Sequence, residues 1–164
     1  SLKRSTSNIA SDEYAWFAAA ESQAYSSLAI FDVDRFKLIN DHHGHPVGDA
    51  VLRWVAARLV ASIGSCGLVG RLGGEEFGVL FDMPNFLAEQ IARRAVESFF
   101  LAPFTLEGGP QLAVRVSAGF AHCPVGSAVG RDVVALAYEE ADRALYEAKA
   151  AGRGRLVTRL LPAA

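Results

Sequence analysis

The first residues to attract chemistry are three carboxylates. Asp32 follows directly on the apolar run Leu28-Ala29-Ile30-Phe31, and a carboxylate at the end of a buried strand needs a partner. Glu75 and Glu76 follow Gly73-Gly74, a pair suited to a tight turn that lets a ligand approach the backbone. If the 28–33 strand lies beside that turn, Asp32 and Glu75 converge. Carboxylates gathered at one sheet edge make a hard-oxygen site for Mg²⁺, which binds through one or two carboxylates plus substrate phosphates. Taken singly, each acid also reads as a turn or cap residue. A second group comprises Asn40, His45 and Asp49, around Gly44 and Gly48. Asn offers donors and an acceptor, and Asp accepts only. Such a pair can read a guanine edge, the Asp taking the N1 and N2 hydrogens. The plainer reading is a loop in which Asn and Asp act as caps.

Lys149 and Arg153 stand one helical turn apart near the end of the last expected helix. Cations there complement the helix dipole, or they contact phosphate as a point charge and a fork donor. Lys37, close to Asp32, is a third candidate for triphosphate charge. His42, His43 and His45 invite a zinc reading, but the cluster is too compact for separated ligand pairs and has no cysteine nearby. His122 reads as a packed or surface residue.

The elements that must position these groups follow from the apolar pattern. Ser11 caps a first helix, with Asp12 and Glu13 in its first turn, running to about Ala24. The 28–31 run has the continuous pattern of a strand buried on both faces. After a turn rich in histidine and glycine, Val47, Val51, Val55, Leu59 and Ile63 give a helix one core-facing stripe. Residues 68–72 and 77–81 form a hairpin around Gly73-Gly74. Pro84 starts another helix, with Leu87, Ile91, Ala95 and Phe99 on one face. Gly108-Gly109 turns a second hairpin into an alternating strand over 112–118. The last helix spans Asp132 to about Ala151, burying Val133, Ala137, Ala141, Ala144, Leu145 and Ala148. Gly152 is placed for a left-handed cap, and Leu156-Val157 for a final edge strand. The fold class is α+β, or mixed α/β, with helices against a largely antiparallel central sheet.

The 164 residues fit one domain that buries its own core. Hydrophobic residues at 51% and charged residues at 21% exclude a disordered chain. A net charge of -2 argues against a protein that binds nucleic acid by neutralising phosphates, yet leaves room for a small nucleotide. Cys66 and Cys123 make no disulfide framework and suit a reducing cytoplasm. No apolar run approaches a membrane span, and no secretory signal is visible. The start at Ser1, with Lys3 and Arg4 in a polar stretch to Asn8, suggests an excised piece of a longer protein.

Three ordered motifs now resemble one family. Asp32-Val33-Asp34-Arg35-Phe36-Lys37-Leu38-Ile39-Asn40-Asp41, Gly44-His45 and Gly48-Asp49 resemble the first long motif of GGDEF domains. Gly73-Gly74-Glu75-Glu76-Phe77 resembles the GGEEF form of their signature. Ala141-Asp142-Arg143-Ala144-Leu145-Tyr146-Glu147-Ala148-Lys149, with Gly152-Arg153, resembles their C-terminal motif. The resemblance covers about 28–157 and divides the chain into a tail and first helix (1–27), the catalytic domain (28–157) and a tail (158–164).

The resemblance implies the palm fold of adenylyl cyclases and polymerases. It implies a diguanylate cyclase condensing two GTP into cyclic di-GMP and pyrophosphate, in an antiparallel dimer of domains. Asp32, the carbonyl of Val33 and Glu75 would hold two Mg²⁺ per GTP site, with Mn²⁺ as a substitute. Glu75, helped by Glu76, would assist deprotonation of the ribose 3′-OH. Asn40 and Asp49 would read guanine, beside His45, Gly73 and Gly74. Phe36, Lys37, Lys149 and Arg153 would line the triphosphate. The expected partners are GTP, cyclic di-GMP, a second copy and an N-terminal sensor, with no nucleic acid or membrane contact by this segment.

Two departures stand out. The family usually opens with a D-x-L-T-x-L-x-N-R stretch, of which Ser1 to Asp12 keeps only Asn8. Many members carry an R-x-x-D product-inhibition site where this chain has Gly64-Ser65-Cys66-Gly67, so no feedback binding is expected there. A receptor module that binds GTP or cyclic di-GMP without turnover is the alternative, and a cyclase making mixed adenine–guanine dinucleotides is a third reading, opposed by Asp49.

Overall fold

The computed structural model describes residues 13–22, 25–123 and 131–162. The Ser1–Asn8 tail, the Ser11 cap, Asp12 and the end of the first helix at Ala24 lie outside them. The elements in order are α1 (Glu13–Ser22), β1 (Ser27–Val33), α2 (Phe36–His43), α3 (His45–Ile63), β2 (Gly67–Gly73), β3 (Glu76–Phe81), α4 (Asn85–Leu101), β4 (Phe104–Thr105), β5 (Gln111–Leu112), β6 (Val116–His122), α5 (Arg131–Ala150) and β7 (Leu156–Leu160). Five strands form one sheet in the order β2-β3-β1-β6-β7, and β4 and β5 form a separate small hairpin. Only β6 and β7 pair in parallel, so the α+β expectation of a largely antiparallel sheet holds.

Alternation along β1 assigns the two faces. Ala29, Phe31 and Val33 join a core with Val51, Val55, Leu59, Ala92 and Phe99 of α3 and α4. Leu28 and Ile30 join another with Trp16 of α1 and Ala137, Ala141 and Leu145 of α5. Every residue of β1 is buried, as a strand in the middle of a covered sheet requires.

Both helices of the α1–α5 layer lie close on glycines. A Cβ on Gly70 or Gly78 would come 2.6 Å from the Trp16 ring. The ring's Nε1–H donates to the Leu68 carbonyl at 3.3 Å. A Cβ on Gly119 would come 1.8 Å from the Ala141 carbonyl oxygen of α5.

Several elements differ from the sequence reading. Residues 36–43 form a separate helix that the pattern did not reveal, because none of its residues is fully buried. The buried stripe of α4 runs through Ala88, Ala92, Ala95, Val96 and Phe99, while Leu87 is 46% exposed. Three alanines on that face let the helix sit close to the sheet, Ala95 and Phe99 are buried as expected, and Leu87 turns out to solvent. The expected 112–118 strand is broken: Leu112 pairs with Phe104 in the hairpin, and β6 starts only at Val116. Between them the Val114 N–H turns back to the Leu112 carbonyl at 3.1 Å. β6 lacks alternation because it is covered on both faces. The last strand continues to Leu160 at the sheet edge. Among the described residues no helix is long and apolar enough to cross a membrane.

Gly119→Ala drives a methyl group into backbone that cannot rotate away. It is expected to cost about 3 kcal/mol or more, read as a lower midpoint in urea unfolding; an unchanged midpoint would show that α5 can lift off the sheet freely.

Candidate active site

The condition set by the sequence is met, since β1 lies directly beside β3. Asp32 stands opposite Glu76 on that side and opposite Ser117 of β6 on the other. Residues directly opposite in an antiparallel pair share a face, here the face that carries α5. The turn between β2 and β3 places Gly73 and Gly74 at φ 123° and 51°, conformations that a side chain resists. The Arg71 guanidinium donates to the Gly74 carbonyl from Nε at 3.0 Å and from Nη2 at 2.6 Å. The Val33 N–H donates to the Glu75 carbonyl at 3.2 Å. The tip carrying Glu75 is thus tied to the end of β1.

Asp32 is buried, and α5 supplies its counter-charge: Lys149 Nζ lies 3.2 Å from Asp32 Oδ1. Burial pushes the Asp32 carboxyl up to about 6 against the pull of Lys149, and the negative charges of Glu75 and Glu76 add to the rise. Burial also raises Glu76, with Lys149 opposing and Asp142 and Glu75 reinforcing. The edge holds more negative charge than its one internal cation balances. Among the described residues, no three His, Cys, Asp or Glu side chains are placed to hold a metal ion unaided. The donors at this edge are carboxylate oxygens, the type a hard cation takes together with phosphate, and the charges of Glu75 and Glu76 both act on Asp32.

The second group forms where α2 meets α3. A Cβ on Gly48 would lie 1.8 Å from Asn40 Oδ1 and 3.2 Å from Phe36 Cζ, so this glycine makes room for both side chains. Asn40 Oδ1 is buried with no hydrogen-bond partner, an arrangement folded proteins avoid without cause. His45 opens α3 and Asp49 lies on its next turn, both exposed, as is Lys37 on α2. No hydrogen bond joins Asn40 to Asp49.

Arg153 is not on the helix with Lys149. α5 ends at Ala150, and the Arg153 N–H donates to the Ala148 carbonyl at 3.0 Å in a Schellman closure around Gly152. Gly152 takes the left-handed cap expected of it, at φ 114°, and Arg153 itself has φ 65°. Buried Asp34, passed over as chemistry in the sequence, holds this loop. Its Oδ1 accepts from the Ser117 hydroxyl at 2.6 Å, and its Oδ2 from the Gly154 N–H at 3.0 Å. His42 and His43 are exposed with rings 6.3 Å apart. His122 packs against β7's neighbourhood with Nε2 2.9 Å from Glu89.

The family described as "Diguanylate cyclase, GGDEF domain" matches residues 12–155. The chain belongs to the GGDEF family. The diguanylate cyclase DgcP of Pseudomonas aeruginosa is 38% identical over 130 residues, covering 79% of this chain and 18% of DgcP. This chain thus spans less than a fifth of that relative. The crystal structure of the GGDEF domain of DgcB from Caulobacter crescentus in complex with c-di-GMP superposes with a TM-score of 0.79 at 25% identity, covering 96% of this chain and 98% of that one. The GGDEF domain of YfiN (TpbB) from Pseudomonas aeruginosa gives 0.73 at 34% identity, covering 93% and 91%. The palm fold expected from the motifs is therefore the fold of this GGDEF domain.

Two features of the site escaped the sequence. The Lys149–Asp32 pair joins motifs 117 positions apart, although the need of Asp32 for a partner was legible. Gly48 is a packing requirement that only the crossing of α2 and α3 reveals.

Asp32 titrates above its ordinary value in the folded domain, so the fold binds a proton that the unfolded chain has already lost between about pH 4 and 6. Stability is expected to fall as pH rises through 6. Asp32→Asn should then stabilise the substrate-free domain by about 1 kcal/mol at pH 7 and leave it unchanged below pH 4. Thermal melts across that range would check this, and equal stabilisation at every pH would contradict it.

Proposed function

We infer that this GGDEF domain is a diguanylate cyclase, which joins two GTP into cyclic di-GMP and releases two pyrophosphates. The observation that carries the reading is the buried acid edge, with Asp32 opposite Glu76, the Glu75 tip tied to Val33, and Lys149 as its internal cation. The reading draws on the family match and on DgcP, which bears the name of that activity.

Asp32, Glu75 and the carbonyl of Val33 would hold two Mg²⁺, or Mn²⁺ in their place. When bound, such ions would favour the attacking 3′-oxygenate and take up charge on the departing pyrophosphate. The chain's own residues do the remaining work. Asn40 Oδ1, buried and unpaired, and the Asp49 carboxylate accept from guanine N1–H and N2–H. Adenine lacks the N1 hydrogen, and polar groups left unpaired reject it. Phe36 and Gly48 shape this pocket, with His45 at its rim. Gly73 and Gly74 leave backbone open to the nucleotide.

Lys37, Lys149 and Arg153 bring positive charge to the triphosphate. Lys149 exchanges Asp32 for phosphate oxygen as the nucleotide enters. Glu75 accepts the 3′-OH proton, helped by Glu76, whose raised pKa brings it nearer the operating pH. The 3′-oxygen then bonds to the α-phosphorus of the facing GTP, and the bond from that phosphorus to the pyrophosphate oxygen breaks. Each domain holds one GTP, so two copies face each other about a twofold axis. In the full-length protein a sensor module would control that encounter, in the cytoplasm where GTP resides. Gly64–Cys66 form a 3₁₀ turn and Gly67 opens β2, an uncharged stretch that makes a poor site for product feedback.

Chromatography of products from GTP and Mg²⁺ at several protein concentrations tests the reading. Cyclic di-GMP should form faster than linearly with protein. Asp32→Ala or Glu75→Ala should lower turnover at least about 1000-fold. Asp49→Ser should relax guanine preference. No product at high concentration, with GTP still bound in calorimetry, would favour a receptor module instead.

Gly48→Ala addresses the base pocket separately. It should raise KM for GTP about tenfold, because the new methyl group displaces Asn40, with little change in melting temperature. An unchanged KM would remove Asn40 from base recognition.

A further inference from the structure

A second cavity, of about 570 Å³, lies behind α2. It is distinct from the base pocket because it uses another stripe of the same helix. Phe36 and Asn40, one turn apart, face Gly48 of α3. Arg35, Leu38, Ile39 and His42 follow the spacing of the other side. The far wall is Phe100 of α4, Leu112 and Ala113 beside β5, Arg115, and the loop Gly152–Arg155.

The charge of this cavity is one-sided. Four arginines line it (Arg35, Arg115, Arg153 and Arg155) against one carboxylate, Asp34. Each oxygen of Asp34 already accepts a hydrogen bond, one from Ser117 and one from the Gly154 N–H, so its single negative charge is committed to the loop and leaves the four cations in excess. Among the described residues no ion pair neutralises any of the four, in a chain whose net charge is -2. Arg115 is held in place by hydrogen bonds to the Phe99 and Val114 carbonyls, at 2.8 and 3.2 Å, and by stacking over Phe100 at 4.3 Å. Arg155 Nε–H donates to the Arg153 carbonyl at 3.1 Å, and Gly152 leaves space for its guanidinium. Arg35 and Arg153 both occupy left-handed backbone, at φ 55° and 65°. Non-glycine residues pay for that conformation, and it concentrates at binding sites.

We propose that this cavity is a binding site for a small organic phosphate, whose dianionic group is held by Arg35, Arg115 and Arg155 while an apolar or planar group lies against Leu38, Ile39 and Phe100. Guanidinium forks match phosphate oxygens, and the volume suits a ligand of nucleotide size. The site does not depend on the cyclase reading. It shares only the Arg153 loop with the triphosphate position, so an occupant would bear on the same loop that Asp34 anchors.

The probe is 1-naphthyl phosphate, followed by its fluorescence in EDTA with this chain. Saturable one-to-one binding is expected. Arg35→Gln and Arg155→Gln, both at exposed positions, should each weaken it about tenfold, while Lys149→Gln should leave it unchanged. 1-Naphthol should fail to compete. Circular dichroism of each variant separates lost binding from lost fold, and Arg115→Lys serves as the third variant. Binding that ignores the arginine variants, or that Lys149→Gln abolishes, would overturn the proposal. So would no binding at millimolar probe. Sedimentation with phosphatidylglycerol vesicles distinguishes a lipid headgroup: vesicle binding lost in Arg35→Gln, without binding of the free probe, would also overturn it.

Discussion

A carboxylate forced into the end of the central strand is the constraint around which the domain is arranged. β1 is buried along its whole length, and apolar residues fill the four positions after Ser27, as far as Phe31. Asp32 and Asp34 then point to the α5 face, where water cannot solvate them fully. Desolvated charge needs a fixed partner, and the partners come from the last turn of α5, the loop that follows it and the neighbouring strand β6. Lys149 answers Asp32, and the Gly154 N–H, with Ser117, answers Asp34. The helix must therefore lie close to the sheet along its length, which is what Gly119 permits. Packing and charge thus demand the same placement of α5, a consistency expected of a sequence that specifies one fold.

Much of this was legible in the residues. The strand and hairpin around the three acids could be read from an apolar run and a Gly-Gly turn, and the stripes of α3 and α5 from their periodicity. The family was legible because three motifs occur in order. What remained hidden was of another kind. α2 is only eight residues long and buries none of them fully, so its few apolar positions do not stand out as a stripe. The break at 113–115 depends on β6 moving between β1 and β7, a long-range event. The rotated face of α4 reflects a choice of alanine over leucine for close approach, and hydrophobicity alone ranks those residues the wrong way round.

The candidate site residues divide along the same line. Residue type announced Asp32, Glu75 and Asn40. Their surroundings decide what those types can do, and these came only with the fold. Asn40 matters because its oxygen is buried and unpaired, and Asp34 because both of its oxygens are used. The two carboxylates stand two residues apart, Asp32 in β1 and Asp34 in the turn after it, yet one is tied into the fold through both oxygens and the other is poised above its ordinary pKa. A site of this sort costs stability where it is most exposed to function.

The left-handed turn at Arg35 sets a ruler. Asp32 belongs to the α5 layer and Phe36 to the α2–α3 layer, on opposite sides of the sheet. At this end of the molecule only three residues of backbone, Val33 to Arg35, separate them. The span from the acid edge to the Asn40–Gly48 pocket is therefore a length of covalent chain rather than a balance of packing forces. Helices on either side can shift by small amounts, and their outer surfaces can change in sequence, without altering that span. The dimension most critical to a ligand reaching both places is thus built into the part of the structure least able to stretch.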